Sequence, residues 1–210
     1  MVRAIERMYA VAGRALDTRT MGEEALWPRR RELLMERLST VPPELQKPFA
    51  ALLWKIADAW RWRQIAVAYV PAETMQQVFC NRSLHDTQLD GQEYFPEMDH
   101  TADRIDEVSL YHAAQKAVQA VETAFRAFRA VLDSTDLDAK TLLFEFDTPL
   151  GQVALAGTGK NRHVRDRCAV LVDLGGDDTY EGPVGSTPSL EVPVSVAIDL
   201  DGDDVYQCTS

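Results

Sequence analysis

The segment "DLGGDDTY" at residues 173–180 returns as "DLDGDDVY" at residues 199–206, an offset of 26 residues. Aligned on this offset, Val170, Val172 and Leu174 fall over Val196, Ile198 and Leu200, Asp173 over Asp199 and Tyr180 over Tyr206. A degenerate copy stands upstream in "VALAGTGKNRH". There Val153 and Leu155 match Val170 and Val172, Gly159 matches Gly176 and Asn161 matches Asp178, at an offset of 17. Each copy is an alternating apolar run followed by a Gly/Asp turn. Self-similarity at a period in the twenties marks coils that bury their apolar side by stacking on the next coil. The repeat therefore predicts parallel strands, one per motif, with Val172 and Ile198 as interior neighbours. The connecting stretch "EGPVGSTPSLEVP" carries the chain round to the next strand. Its length and Pro content argue against a meander of tight hairpins.

Before the repeat the periodicity is helical. In "RIDEVSLYHAAQKAVQAVETAFRAFRAVLD" the residues Tyr111, Ala114, Val118, Val121, Phe125, Phe128 and Leu132 recur at three- and four-residue steps and predict one apolar face. "PELQKPFAALLWKIADAWRWRQIAVAY" reads as a second helix, with Pro near its start and Pro71 just beyond its end. Shorter helices are expected over residues 3–16 and 29–38. Within the second helix, Trp54 is expected in the core beside Leu53 and Ile56, and Trp62 against Arg neighbours or a partner. After Leu132 the polar connector "DSTDLDAK" separates a chain rich in Ala, Arg and Glu from one rich in Val, Ile, Gly, Pro and Asp. The fold expected is α+β: an N-terminal α-helical domain over residues 1–133, followed over residues 134–210 by a short parallel β-solenoid of the right-handed β-helix kind. A solenoid needs about three repeats and a cap. Two good copies, one poor one and an open strand edge, which natural proteins normally block, lead to the expectation that the protein continues beyond Ser210 and that the chain is a fragment.

In a parallel stack equivalent residues lie roughly 4.8 Å apart. Two carboxylates at that spacing repel by roughly 1 kcal/mol in water and roughly 3–4 kcal/mol at an effective dielectric of 20. A partly buried ladder of aspartates therefore calls for a cation. Ca²⁺ is the natural candidate, because it takes six to eight oxygens from carboxylates and carbonyls. The candidate ligands are Asp173, Asp177, Asp178, Asp199, Asp201, Asp203 and Asp204. In the second motif Asp199, Asp201 and Asp203 alternate as in the first half of an EF-hand loop, but position twelve is Ser210 where that loop has Glu. The alternative is that Asp and Gly simply suit tight, solvated turns.

The segments "GGDDTY" and "DGDDVY" resemble the Gly-Asp turns of the bacterial RTX calcium-binding repeats. Gly176, Asp178 and Tyr180, and likewise Gly202, Asp204 and Tyr206, match the second half of that pattern. The first Gly pair is replaced by Asp173 with Leu174 and by Asp199 with Leu200, and the period is not nine residues. The resemblance covers residues 150–207 and implies calcium-binding turns with no assigned reaction.

Other candidate chemistry is thinner. The turn-rich stretch at residues 80–103 gathers His85, Asp86, Asp90, Glu93, Glu97, Asp99, His100 and Asp103, types that ligate zinc or iron or act as acid and base. It holds no HExxH, and a solvated polar loop is the simpler account. "AGTGKN" lacks the first Gly and the Ser/Thr of a phosphate-binding loop, having Ala154 and Asn161 at those places. Cys80, Cys168 and Cys208 form no CxxC pair and, being odd in number, no closed disulfide framework. Cys168, just before the first motif strand, is expected to point inward as a small apolar residue.

The formal charge of −11 is concentrated in the tail, where residues 164–210 hold ten Asp or Glu against two Arg, or −8. That balance disfavours nucleic acid as a partner. No uninterrupted apolar run suggests a signal peptide or a membrane span. The location expected is cytoplasmic for a complete chain, and cell surface or periplasm for a fragment. The function expected is a non-catalytic structural or interaction module with calcium-binding Asp/Gly turns, joined at its open end by a protein partner or by further repeats. The alternative is a fragment of a metal-dependent hydrolase that uses the loop at residues 80–103.

Overall fold

The computed structural model describes residues 1–16, 27–75, 101–135, 137, 142–187 and 189–207. Four long helices come first: α1 (Val2–Val11), α2 (Trp27–Ser39), α3 (Pro43–Ala66) and α4 (Glu107–Ser134). Pro43 opens α3, where the missing N–H costs no intrahelical bond. Asp106 caps α4 by accepting the Ser109 N–H at 3.2 Å and the Ser109 hydroxyl at 2.7 Å. Among the described residues, no helix is long and apolar enough to cross a membrane.

α3 and α4 pack along much of their length. The buried stripe of α4 is Ala113, Ala120, Ala124 and Phe128, with Val121 partly buried beside it. The apolar face expected from periodicity is therefore rotated. Tyr111, Val118 and Phe125 stand 73%, 58% and 43% exposed. Small residues are chosen at the contact because alanines let two helix axes approach closely. Trp54 also departs from expectation: it is half-exposed, with the Arg7 guanidinium 4.6 Å above its ring, while Trp60 is buried and Trp62 packs on His112.

The strands follow: β1 (Leu142–Thr148), β2 (Gly151–Ala156), β3 (Arg162–Val164), β4 (Cys168–Asp173), β5 (Thr179–Glu181), β6 (Val196–Asp199) and β7 (Val205–Gln207). They form a four-stranded sheet in the order β1-β2-β4-β6 and a three-stranded sheet in the order β3-β5-β7. β1 is antiparallel to β2, and all other neighbours are parallel. Val153 pairs with Val170, Val172 with Ile198 and Asp173 with Asp199.

This corrects the β-solenoid expectation within a fold that remains α+β. Each motif supplies two strands, one on either side of its turn. The strands lie in two small open sheets, one of them mixed, which do not close into coils. The physical reason lies in the returns. Residues 165–167 suffice between β3 and β4, whereas residues 182–195 lie between β5 and β6 and, among those described, form only the isolated bridge Ser189–Val192. Among the described residues neither return forms a strand, so the two sheets have no further wall between them. Pro183 and Pro193 also have no N–H to offer to one.

One apolar core joins the helices to the larger sheet. Phe49 of α3 sits 6.5 Å from Phe128 of α4 and 5.9 Å, edge-on, from Phe144 of β1. Val153, Val170, Val172 and Ile198 belong to the same cluster. A smaller cluster of Ala154, Cys168, Leu171 and Tyr180 fills the space on the other side of that sheet. Burial there pushes the Cys168 thiol up to about 11, leaving it an inert, protonated packing residue.

Candidate functional site

The three Gly/Asp turns lie one above another because their flanking strands pair in parallel on both sides. The glycines are required by this closeness. A Cβ on Gly202, at φ +137°, would lie 1.8 Å from the Gly176 carbonyl oxygen. One on Gly176, at φ +127°, would lie 2.9 Å from that of Gly159.

Aspartates tie each turn to the one before it. Asp178 Oδ1 accepts the backbone N–H of Asn161. Asp204 Oδ1 accepts the N–H of Asp178 at 2.8 Å, and Asp177 Oδ1 accepts the N–H of Asp203 at 3.2 Å. A row of rings runs beside them. β3, β5 and β7 place His163, Tyr180 and Tyr206 in register, with centroids 4.9 Å and 4.6 Å apart and the two tyrosine rings stacked nearly parallel.

Asp173, fully buried, ends β4 opposite this row. Its Oδ1 accepts the Gly175 N–H at 3.1 Å; its Oδ2 lies 2.6 Å from His163 Nε2 and 3.2 Å from the Tyr180 hydroxyl. Asp199 repeats the arrangement one turn later, with Oδ2 accepting from the hydroxyls of Tyr180 at 3.1 Å and Tyr206 at 3.3 Å. Tyr180 has one proton for two carboxylates. Burial raises its own pKa, so it stays a donor.

Within each turn the first and last aspartates face each other, Asp173 with Asp178 and Asp199 with Asp204. Asp178 Oδ2 and Asp199 Oδ1 are buried and have no hydrogen-bond partner. Burial, opposed by the Asn161 N–H and reinforced by the Asp173 carboxylate, raises Asp178 to about 6. Burial and the neighbouring Asp204 raise Asp199 to about 6 as well.

The seven aspartates nominated from sequence thus do not converge on one point. Asp173 and Asp178 are buried, Asp199 and Asp204 half-buried, and Asp177, Asp201 and Asp203 exposed at the outer corner. Sequence reasoning missed His163, which completes a buried group with Asp173 and Asp178. The signal was present: extending the 17-residue alignment by two positions puts His163 over Tyr180. The loop residues His85, Asp86, Asp90, Glu93, Glu97, Asp99 and His100 lie outside the described residues, and Asp103 is exposed. "AGTGKN" forms the first of the three turns, with Lys160 exposed.

A second polar feature is a cleft of about 480 Å³ between α1, α2 and the β1–β2 hairpin, where Tyr9, Arg30, Arg37 and Arg167 meet Asp147 and Glu191. Arg167 pairs with Glu191 at 3.2 Å, and Arg37 donates to the Glu145 carbonyl, so these cations are partly committed. Compared with known protein families, curated proteins and solved structures, the chain matches none.

Proposed function

We propose that the chain is a non-catalytic structural or interaction module which binds an extended partner segment along β6 and β7. The observation that carries this reading is the repetition of the turn-to-turn contacts. Asn161 donates to Asp178 and Asp178 to Asp204, while Tyr180 stacks on Tyr206. Among the described residues β6 and β7 are the last strands of their sheets, on the same side. There Tyr206 is 64% exposed and Val205 51% exposed.

Natural sheet edges are usually blunted by Lys, Pro or a covering element. β7, "VYQ", carries neither Lys nor Pro. Strand addition to such an edge gains affinity from main-chain hydrogen bonds and specificity from alternate side chains. A segment with the same Asp/Gly turn would continue the Asp clamp and the ring stack together.

The test uses a fluorescent peptide copying residues 194–207 and follows its anisotropy as the protein is added. Saturable binding is expected, abolished by Tyr206→Asp in the protein and by replacing the peptide's equivalent of Asp204 with Ala. Equal binding of a scrambled peptide, or none of the native one, would sink the proposal.

A further inference from the structure

Asp173 and Asp178 are 0% and 1% exposed, and Asp178 Oδ2 has no hydrogen-bond partner. Every other contact of the pair is settled. Asp173 Oδ1 serves the Gly175 N–H and Asp178 Oδ1 the Asn161 N–H, which leaves Asp178 Oδ2 as an orphan aimed at the space beside Asp173. A buried carboxylate of this kind needs a proton or a cation. The third wall of that space is the His163 ring, itself 3% exposed.

We propose that His163, Asp173 and Asp178 bind one first-row divalent cation of the zinc type, through one ring nitrogen and one oxygen of each carboxylate. Their donor atoms lie within 4.8 Å of one another. Around a tetrahedral ion with bonds of about 2.0–2.2 Å, donors sit about 3.3–3.6 Å apart. The 2.6 Å contact between His163 and Asp173 therefore opens by about 1 Å or less as the metal enters.

The donor set also selects the ion. Calcium and magnesium seek oxygen alone, whereas a nitrogen with two carboxylates suits zinc and its neighbours. The Tyr180 hydroxyl, 3.2 Å from Asp173 Oδ2, orients that ligand from outside.

The stack contains its own comparison. Asp199 and Asp204 repeat the carboxylate pair one turn later, but the ring facing Asp199 is Tyr180, which offers no nitrogen, and Asp204 is only half-buried. Among the described residues the stack accordingly offers one such site. The site lies one strand inside the β6–β7 edge, and none of its three donors belongs to β6 or β7.

The test begins with full-length protein stripped by chelator, to which Zn²⁺, Ca²⁺ or Mg²⁺ is added before desalting, metal analysis and thermal melting. The parent should retain one more Zn²⁺ per chain than His163→Gln, and Tm should rise by about 5–10 °C when zinc stands a hundredfold above its Kd. Calcium and magnesium should do neither, and Co²⁺ should give the visible absorption of a low-coordinate nitrogen and oxygen site. Asp178→Asn retains an acceptor for Asn161 and removes the carboxylate clash, so its metal-free form should melt above the parent while zinc affinity falls by about 100-fold or more. His163→Gln should lose zinc in the same way. Absence of retained zinc, preference for calcium, or equal zinc affinity in Asp178→Asn would each overturn the assignment.

Discussion

The aspartates of the repeat do different work according to depth. Asp199 shows this best in metal-free protein. Burial first, then the carboxylates of Asp204 and Asp173, lift it from the ordinary 3.8 to about 6, while the hydroxyl of Tyr180 opposes the rise. Between those values the folded chain holds a proton that the unfolded chain has lost, so stability falls as pH rises from about 4 to about 6 and is level above that. Asp178 acts in the same direction. Asp199→Asn should therefore flatten this slope and unfold at higher urea concentration than the parent near neutral pH, as read from denaturation midpoints across the range. A parent whose stability increases steadily over that interval would contradict the placement. At this scale the sequence nominated the acids and not their partner. His163 differs in type from the tyrosines it aligns with, and only the parallel pairing of β3 with β5 brings it against Asp173.

The turn, as an element, depends on backbone approach more than on charge. Gly202→Ala and Gly176→Ala each place a methyl group against a carbonyl of the neighbouring turn, at a φ that L-residues rarely adopt. Each should cost at least about 2 kcal/mol. Gly13 provides the control: its φ is +69° and nothing lies within 4 Å of an added Cβ. Gly13→Ala should cost about 1 kcal/mol. Urea unfolding of the three variants checks the ranking, and equal losses would show that the close approach is unimportant. The helices were legible because their periodicity is long, but the face of α4 was not. Periodicity counts apolar residues, whereas the contact with α3 selected the alanines at 113, 120 and 124 for their size and left Tyr111 and Val118 outside.

Across the whole molecule, Phe49 joins what the composition divides. It touches Phe128 of α4 and Phe144 of β1, and the same core continues to Val172 and Ile198. Phe49→Ala should cost about 3–5 kcal/mol and lower the stability of helices and strands together. Far-UV circular dichroism and tyrosine fluorescence should then report a single shifted transition. Two separated transitions would mean that the shared core is not what couples them.

The order of helices before strands, the pairing register of the motif strands and the need for glycine at the turns were determined by the sequence alone, because periodicity and repetition are local properties of the chain. Three features were decided only by tertiary structure: two open sheets in place of a closed coil, the rotation of α4, and the meeting of His163 with Asp173 and Asp178. Each depends on how far the connections reach and which surfaces they bring together. Residues 165–167 and residues 182–195 return the chain by unlike paths to which the sequence repeat does not extend, so the repeat by itself does not say where they run.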